Sequence, residues 1–158
     1  MAIDLSMETL LKEKKTDIAT LMMRLALGTV IFGHGAQKLF GWFGGYGLEG
    51  TMNYFISVVE APYLIAMLVI LGESFGAIAL VLGLFSRFMA ASILFIMVGA
   101  MAIEHAQFGF FMNWFGNQKG EGIEFDLLVF GISLALIVLG GGTISLDQFI
   151  ANRISAKK

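Results

Sequence analysis

Cysteine is absent from the chain, which excludes disulfides, thiolate nucleophiles and Cys-ligated iron–sulfur clusters on this polypeptide. Proline occurs once, as Pro62, so little interrupts a helix. Charge is scarce as well: Asp, Glu, Lys and Arg make up 14% of the residues, against about a quarter in a soluble domain. The net charge is −2 with no basic stripe, which speaks against a nucleic-acid partner. Apolar residues take the place of the missing charge. They reach 58% of the 158 residues, with a mean hydropathy of +0.84, more than one small domain can hide from water. The 20 glycines suit helices packed closely in lipid, where small residues let backbones approach. The expectation is one integral membrane domain, 1–158.

Four apolar stretches, about 18–40, 62–85, 87–105 and 125–140, are expected to be spans. A hydrocarbon core of about 30 Å needs about 20 residues at 1.5 Å each. Short connections favour an all-α, up-down-up-down four-helix bundle. The run after Asp17 is too long for a cleaved signal core and is read as the first span. Lys12, Lys14 and Lys15 precede it, Arg87 lies in the second connection, and Arg153, Lys157 and Lys158 follow the fourth span. The other two connections carry Lys119 and the acids Glu49, Glu60, Glu121 and Glu124. The positive-inside rule then places both termini in the cytoplasm, as an even span count requires. Trp42 and Trp114, with Phe43, Tyr46, Phe110, Phe111 and Phe115, form an aromatic belt on the outer side. The glycine-rich connection after Gly41 is expected to fold back on the bundle mouth. Leu5 to Lys15 is expected to lie as an amphipathic helix on the cytoplasmic surface.

Ionisable groups in hydrocarbon need a partner or a wet cavity. Counting from the cytoplasmic end, Arg24 lies about 9 Å deep and Glu73 about 18 Å, while His34 lies at about 24 Å and Glu104 and His105 at about 26 Å. Gln37 and Lys38 are a turn further out, and Asp126 opens the fourth span near that level. The candidate binding residues are therefore Arg24, His34, Gln37, Lys38, Glu73, Glu104 and His105, with His34, Glu73 and Glu104 as candidates for proton chemistry. Arg24 and Glu73 are expected to pair, in the first instance as a structural ion pair. Lys38 has the alternative of snorkelling to headgroups. Two histidines alone are too little to assign an axially ligated haem, and His34, His105 and Glu104 lack a diagnostic metal spacing. No intrinsic cofactor or metal is assigned. The ten methionines read as packing.

The runs Arg24-Leu25-Ala26-Leu27-Gly28 and Gly33-His34-Gly35-Ala36-Gln37-Lys38-Leu39-Phe40-Gly41 resemble the opening of the DoxX family. Leu71-Gly72-Glu73, Leu82-Gly83-Leu84-Phe85-Ser86-Arg87, Gly122-Ile123-Glu124-Phe125 and Ser145-Leu146-Asp147 follow in order. The resemblance covers nearly the whole chain and touches Arg24, His34, Gln37, Lys38, Glu73, Arg87 and Glu124. It implies a four-helix bacterial inner-membrane protein. It also implies redox associations: subunits linked to quinol or thiosulfate:quinone oxidoreduction, and partners of sulfur-transfer and superoxide-detoxifying proteins.

Three functions compete. A redox-linked subunit would bind a quinone-like molecule, with His34, Gln37 and Lys38 on its carbonyl oxygens and Glu73 or Glu104 exchanging protons. Electrons would then come from a partner or bound cofactor. A carrier for a small solute or proton would use the same cavity as a homo-oligomer, with Gly72 and Gly76 available for helix contacts within or between protomers. A scaffold would recruit a soluble redox or sulfur-transfer enzyme through the Lys12–Lys15 segment, leaving the buried cluster structural.

Overall fold

The computed structural model describes residues 17–156. The expected surface helix Leu5 to Lys15 and the terminal Lys157 and Lys158 lie outside the described residues. Within them every regular element is helical. α1 is Asp17–Phe40, a short 3-10 turn follows at Trp42–Gly44, and α2 is Gly47–Ser57. α3 is Tyr63–Leu82 and α4 is Ser86–Phe108. α5 is Glu124–Leu139 and α6 is Leu146–Ser155. Three segments are long and apolar enough to cross a membrane: Ile18–Phe40, Tyr63–Leu82 and Ser86–Phe108. α5 has 16 residues, about 24 Å at helical rise.

The four long helices pack in a ring, α1 on α3, α3 on α4, α4 on α5, and α5 back on α1. Polarity is inverted relative to a soluble protein. Phe88, Phe95, Leu64, Leu128 and Val138 face outward, while Arg24, Glu73, Ser86, Asp126 and Ser133 are buried. That arrangement is stable only where the exterior solvent is hydrocarbon.

Boundaries differ from the sequence expectation for visible reasons. α3 stops at Leu82 because Gly83 and Phe85 are left-handed, at φ 71 and 49, which ends the helix three residues early. α4 runs past His105 to Phe108 by switching to π geometry over Met101–His105 and then to a 3-10 turn. α3 carries a π segment as well, Gly72–Gly76. The glycine-rich connection does fold back: α2 is a half-helix that buries Thr51 and Met52, the latter against Ala66 and Ile70 of α3.

The end bearing the two short connections, the turn end, is fixed by caps. Asp147 accepts from the Phe85 and Ser86 amides at 2.7 and 2.9 Å and from Ser86 Oγ at 2.9 Å, closing the N-terminus of α4. Arg87 donates to the Ile137 and Val138 carbonyls in the last turn of α5. Arg24 donates to the Ile144 carbonyl at 2.5 Å. Ser145 caps α6 through the Gln148 amide.

Glycine sets the approach of α1 to α3. A Cβ on Gly35 would fall inside the carbonyl of Glu73, whereas one on Gly33 would meet nothing within 4 Å. Backbone cannot swing aside as a side-chain tip can. Gly35→Ala should therefore lose about 1–3 kcal/mol of stability, while Gly33→Ala should be neutral or gain up to about 1 kcal/mol from helix propensity. Denaturant titration of the two variants in mixed micelles checks this, and equal losses would contradict the packing described.

Candidate functional site

The opposite end, the loop end, gathers the reactive side chains. α1 supplies His34 and Lys38, one turn apart on one face. Glu73 and His105 come from the π segments of α3 and α4. A π segment inserts an extra residue into a turn and re-aims the side chains around it, which is why such segments recur at functional sites. These four residues line a cavity of about 200 Å³, closed by Ile31, Met97 and Phe125 and, from the connection before α5, by Glu121 and Gly122.

Two ionisable pairs frame the cavity. Lys38 Nζ lies 2.5 Å from Glu73 Oε2, with 25% and 7% of the side chains exposed. Losing Lys38 alone would strand a buried carboxylate, at a cost of about 3–5 kcal/mol. On the other side, His105 Nδ1 lies 3.0 and 2.8 Å from the two oxygens of Asp126, a fully buried carboxylate. His34 packs its ring 5.9 Å from that of Phe125. It takes no hydrogen bond from the described residues and is accessible, so both ring nitrogens are open to a ligand or to water.

The remaining candidates sit elsewhere. The expected Arg24–Glu73 pair does not form: Glu73 is paired with Lys38, and Arg24 is buried at the turn end. The depth count failed because α1 overshoots α3. Arg24 is level with Gly83 and Gly35 with Glu73, so the first seven residues of α1 run about 10 Å past the end of α3. Gln37 turns away from the cavity, and its Nε2 lies 3.5 Å from the Phe43 carbonyl. Glu104 accepts from the Tyr54 hydroxyl of α2 and does not line the cavity. Glu124 accepts from the Met112 amide at 3.1 Å and Trp114 Nε1 at 3.3 Å, which folds the connection over the cavity. Gly72 and Gly76 are in use within the chain, facing Ile96 and Met89 of α4.

Two partners escaped the sequence reading as site residues, Asp126 and Tyr54. Asp126 was placed at the right level, but the first turn of a span is an ordinary place for an acid, since it offsets the helix dipole. Tyr54 sits on a half-helix whose glycines hid it. No three of His, Asp and Glu converge as a metal set among the described residues. A cavity of about 200 Å³ is the size of one six-membered ring, since about 150 Å³ holds benzene.

The DoxX family model matches residues 19–106, more than half of the chain. The chain is 27% identical over 137 residues to a Bacillus subtilis (strain 168) protein named "Putative oxidoreductase CatD", covering 87% of this chain and 90% of the relative. It is 29% identical over 135 residues to "Inner membrane protein YphA" of Escherichia coli (strain K12), covering 83% of this chain and 89% of the relative. No solved structure matches the chain with significance.

The Tyr54 contact has a titration consequence. Its hydrogen bond to the Glu104 carboxylate, chiefly, and then burial and the carboxylate's charge hold the phenol above its ordinary value. A raised phenol stabilises the fold fully below about pH 10 and loses that contribution as pH rises through the folded value. In ultraviolet titration, the wild type minus Tyr54→Phe difference should ionise above about pH 10, and Glu104→Gln should lower it. An unmoved titration would remove the contact.

Proposed function

This chain belongs to the DoxX family, and we propose that it is a redox-linked membrane subunit whose loop-end cavity holds the headgroup of a quinone-like molecule. It is a multi-pass inner-membrane protein. In our reading α1, α3, α4 and α5 all cross the bilayer, up-down-up-down, with both termini cytoplasmic. Arg87 and Arg153 then fall on the cytoplasmic side, and Trp42, Trp114, Glu49, Glu60, Glu121 and Glu124 on the outer side. The 16 residues of α5 are short for about 30 Å of hydrocarbon, a mismatch that a bilayer absorbs by thinning at fractions of a kcal/mol per Å.

The observation that carries this reading is the composition of the cavity. It is one ring in volume, apolar on Ile31, Met97 and Phe125, and bears His34, Lys38 and His105 around it. Small-molecule sites have this character, mostly apolar with a few convergent polar groups. Lys38 is a donor only, and each imidazole offers a donor or an acceptor. His34, Lys38 and His105 would hold the ring oxygens. A quinone supplies two-electron, two-proton chemistry when bound. The chain's own part is to exclude water, orient the ring and exchange protons through the His105–Asp126 and Lys38–Glu73 pairs. The oxidoreductase name of the Bacillus relative is consistent with such a role, with electrons coming from a soluble redox partner. The oligomeric carrier is less well supported, because Gly72 and Gly76 already serve helix contacts inside the chain. The recruitment segment Lys12–Lys15 lies outside the described residues.

Equilibrium binding of duroquinone to the protein in lipid nanodiscs tests the reading. His34→Ala should weaken binding about tenfold, the worth of one well-placed hydrogen bond. Lys119→Ala, on the exposed connection, should leave it unchanged. Equal binding by both variants and the wild type would remove the cavity as the site.

A further inference from the structure

Asp126 has an unusual position for a carboxylate. Its side chain is fully buried, both oxygens lie on one ring nitrogen, Nδ1 of His105, and no other described residue bonds to it. Nδ1 reaching both oxygens is the geometry of one N–H shared by a carboxylate, and an ionised carboxylate accepts hydrogen bonds and cannot donate them, so with Asp126 ionised the proton between these groups belongs to Nδ1. In the neutral ring Nε2 then carries a lone pair. His105 lines the cavity, and with Nδ1 occupied, Nε2 is the atom it has left to offer. The other groups on the wall are His34 and Lys38 of α1, Glu73 of α3 and Glu121 of the connection, while Glu104 is turned to Tyr54. The cavity thus sets a fixed donor, the Lys38 ammonium, against a fixed acceptor, His105 Nε2.

We propose that Asp126 is a positioning residue that locks His105 in its Nδ1–H form, so that Nε2 accepts from a ring hydroxyl and the cavity prefers the reduced, hydroxyl-bearing form of a quinone-like ring. The proposal rests on the ring-binding reading above. The oxidised ring offers only carbonyl oxygens, which would place lone pair against lone pair at Nε2. The reduced ring offers a hydroxyl hydrogen there, and its oxygen can still accept from Lys38. Buried polar groups left unmatched are what makes such discrimination strong.

The test uses the full chain in nanodiscs with duroquinol and duroquinone, held anaerobically. The four ring methyls block addition of nucleophiles to either probe. The wild type should bind duroquinol more tightly. Asp126→Asn keeps the shape but presents an amide donor to Nδ1, which moves the ring proton to Nε2. The ratio of the two dissociation constants should shift toward duroquinone by about tenfold. Nitrogen-15 NMR of His105 without ligand should report Nδ1–H in the wild type and Nε2–H in Asp126→Asn. His105→Ala, which leaves Asp126 in place, should abolish the preference. If both probes bind but neither ratio nor tautomer responds to Asp126→Asn, the positioning role is overturned and the ring-binding reading stands. If neither probe binds the wild type, that reading fails and the specificity claim falls with it.

Discussion

A charged side chain inside a bilayer has no water to fall back on, and every feature of this fold follows from having to supply its partners from within. An unpartnered lysine or acid at mid-membrane costs about 3 kcal/mol by insertion measurements. The structure meets that demand by bringing Lys38 to Glu73 and His105 to Asp126. Neither meeting is local. Each joins two helices and depends on how close the helices come. The α1–α3 approach is set by Gly35, whose missing side chain lets the helix rest on the backbone of Glu73. The outer surface of the helices can then be mostly apolar, with Phe88, Phe95, Leu64, Leu128 and Val138 exposed, because the buried polar groups meet one another inside.

The two ends of the bundle divide the work. At the turn end, Arg87 and Asp147 reach helix carbonyls and amides, Asp147 also takes the Ser86 hydroxyl, and Arg24 donates to the segment after α5. They hold the helix ends and the segment after α5 in place. At the loop end the polar groups meet other side chains and leave ring nitrogens over. The helices change pitch there too, with both π segments contributing a cavity residue. A π segment strains the regular hydrogen-bond ladder, and its use twice on one cavity ties the irregularity to side-chain placement. Family membership says that such a molecule sits in the membrane.

Much of this was legible in the sequence. Three of the four expected spans are long apolar helices, and His34, Lys38, Glu73 and His105, which line the cavity, were among the seven candidates that hydropathy and depth picked out, with Glu73 assigned to the wrong partner. The Arg24–Glu73 pairing failed, because residue counts assume that helices start level and α1 starts about 10 Å beyond α3. Tertiary offset leaves no mark in a single sequence. Glu104 and His105 are adjacent in the chain yet part company in space, Glu104 toward Tyr54 and His105 toward Asp126. Neighbours within one turn differ by about 100° in direction, and the π segment changes that angle again. The half-helix α2 was masked by Gly47 and Gly50, which weaken helix propensity. α6, which Ser145 caps through the Gln148 amide, was likewise not among the expected elements.

The claim on which the rest stands is that these groups form a lipid-shielded pocket for a single oxygenated ring. Its most direct test is an experimental structure of the protein extracted with its native lipid. The account predicts a planar, ring-sized density between His34, Lys38 and His105, with the Lys38–Glu73 and His105–Asp126 pairs intact. An acyl chain filling that space, or His34 and Glu73 directed at lipid on opposite sides of the protein, would contradict it.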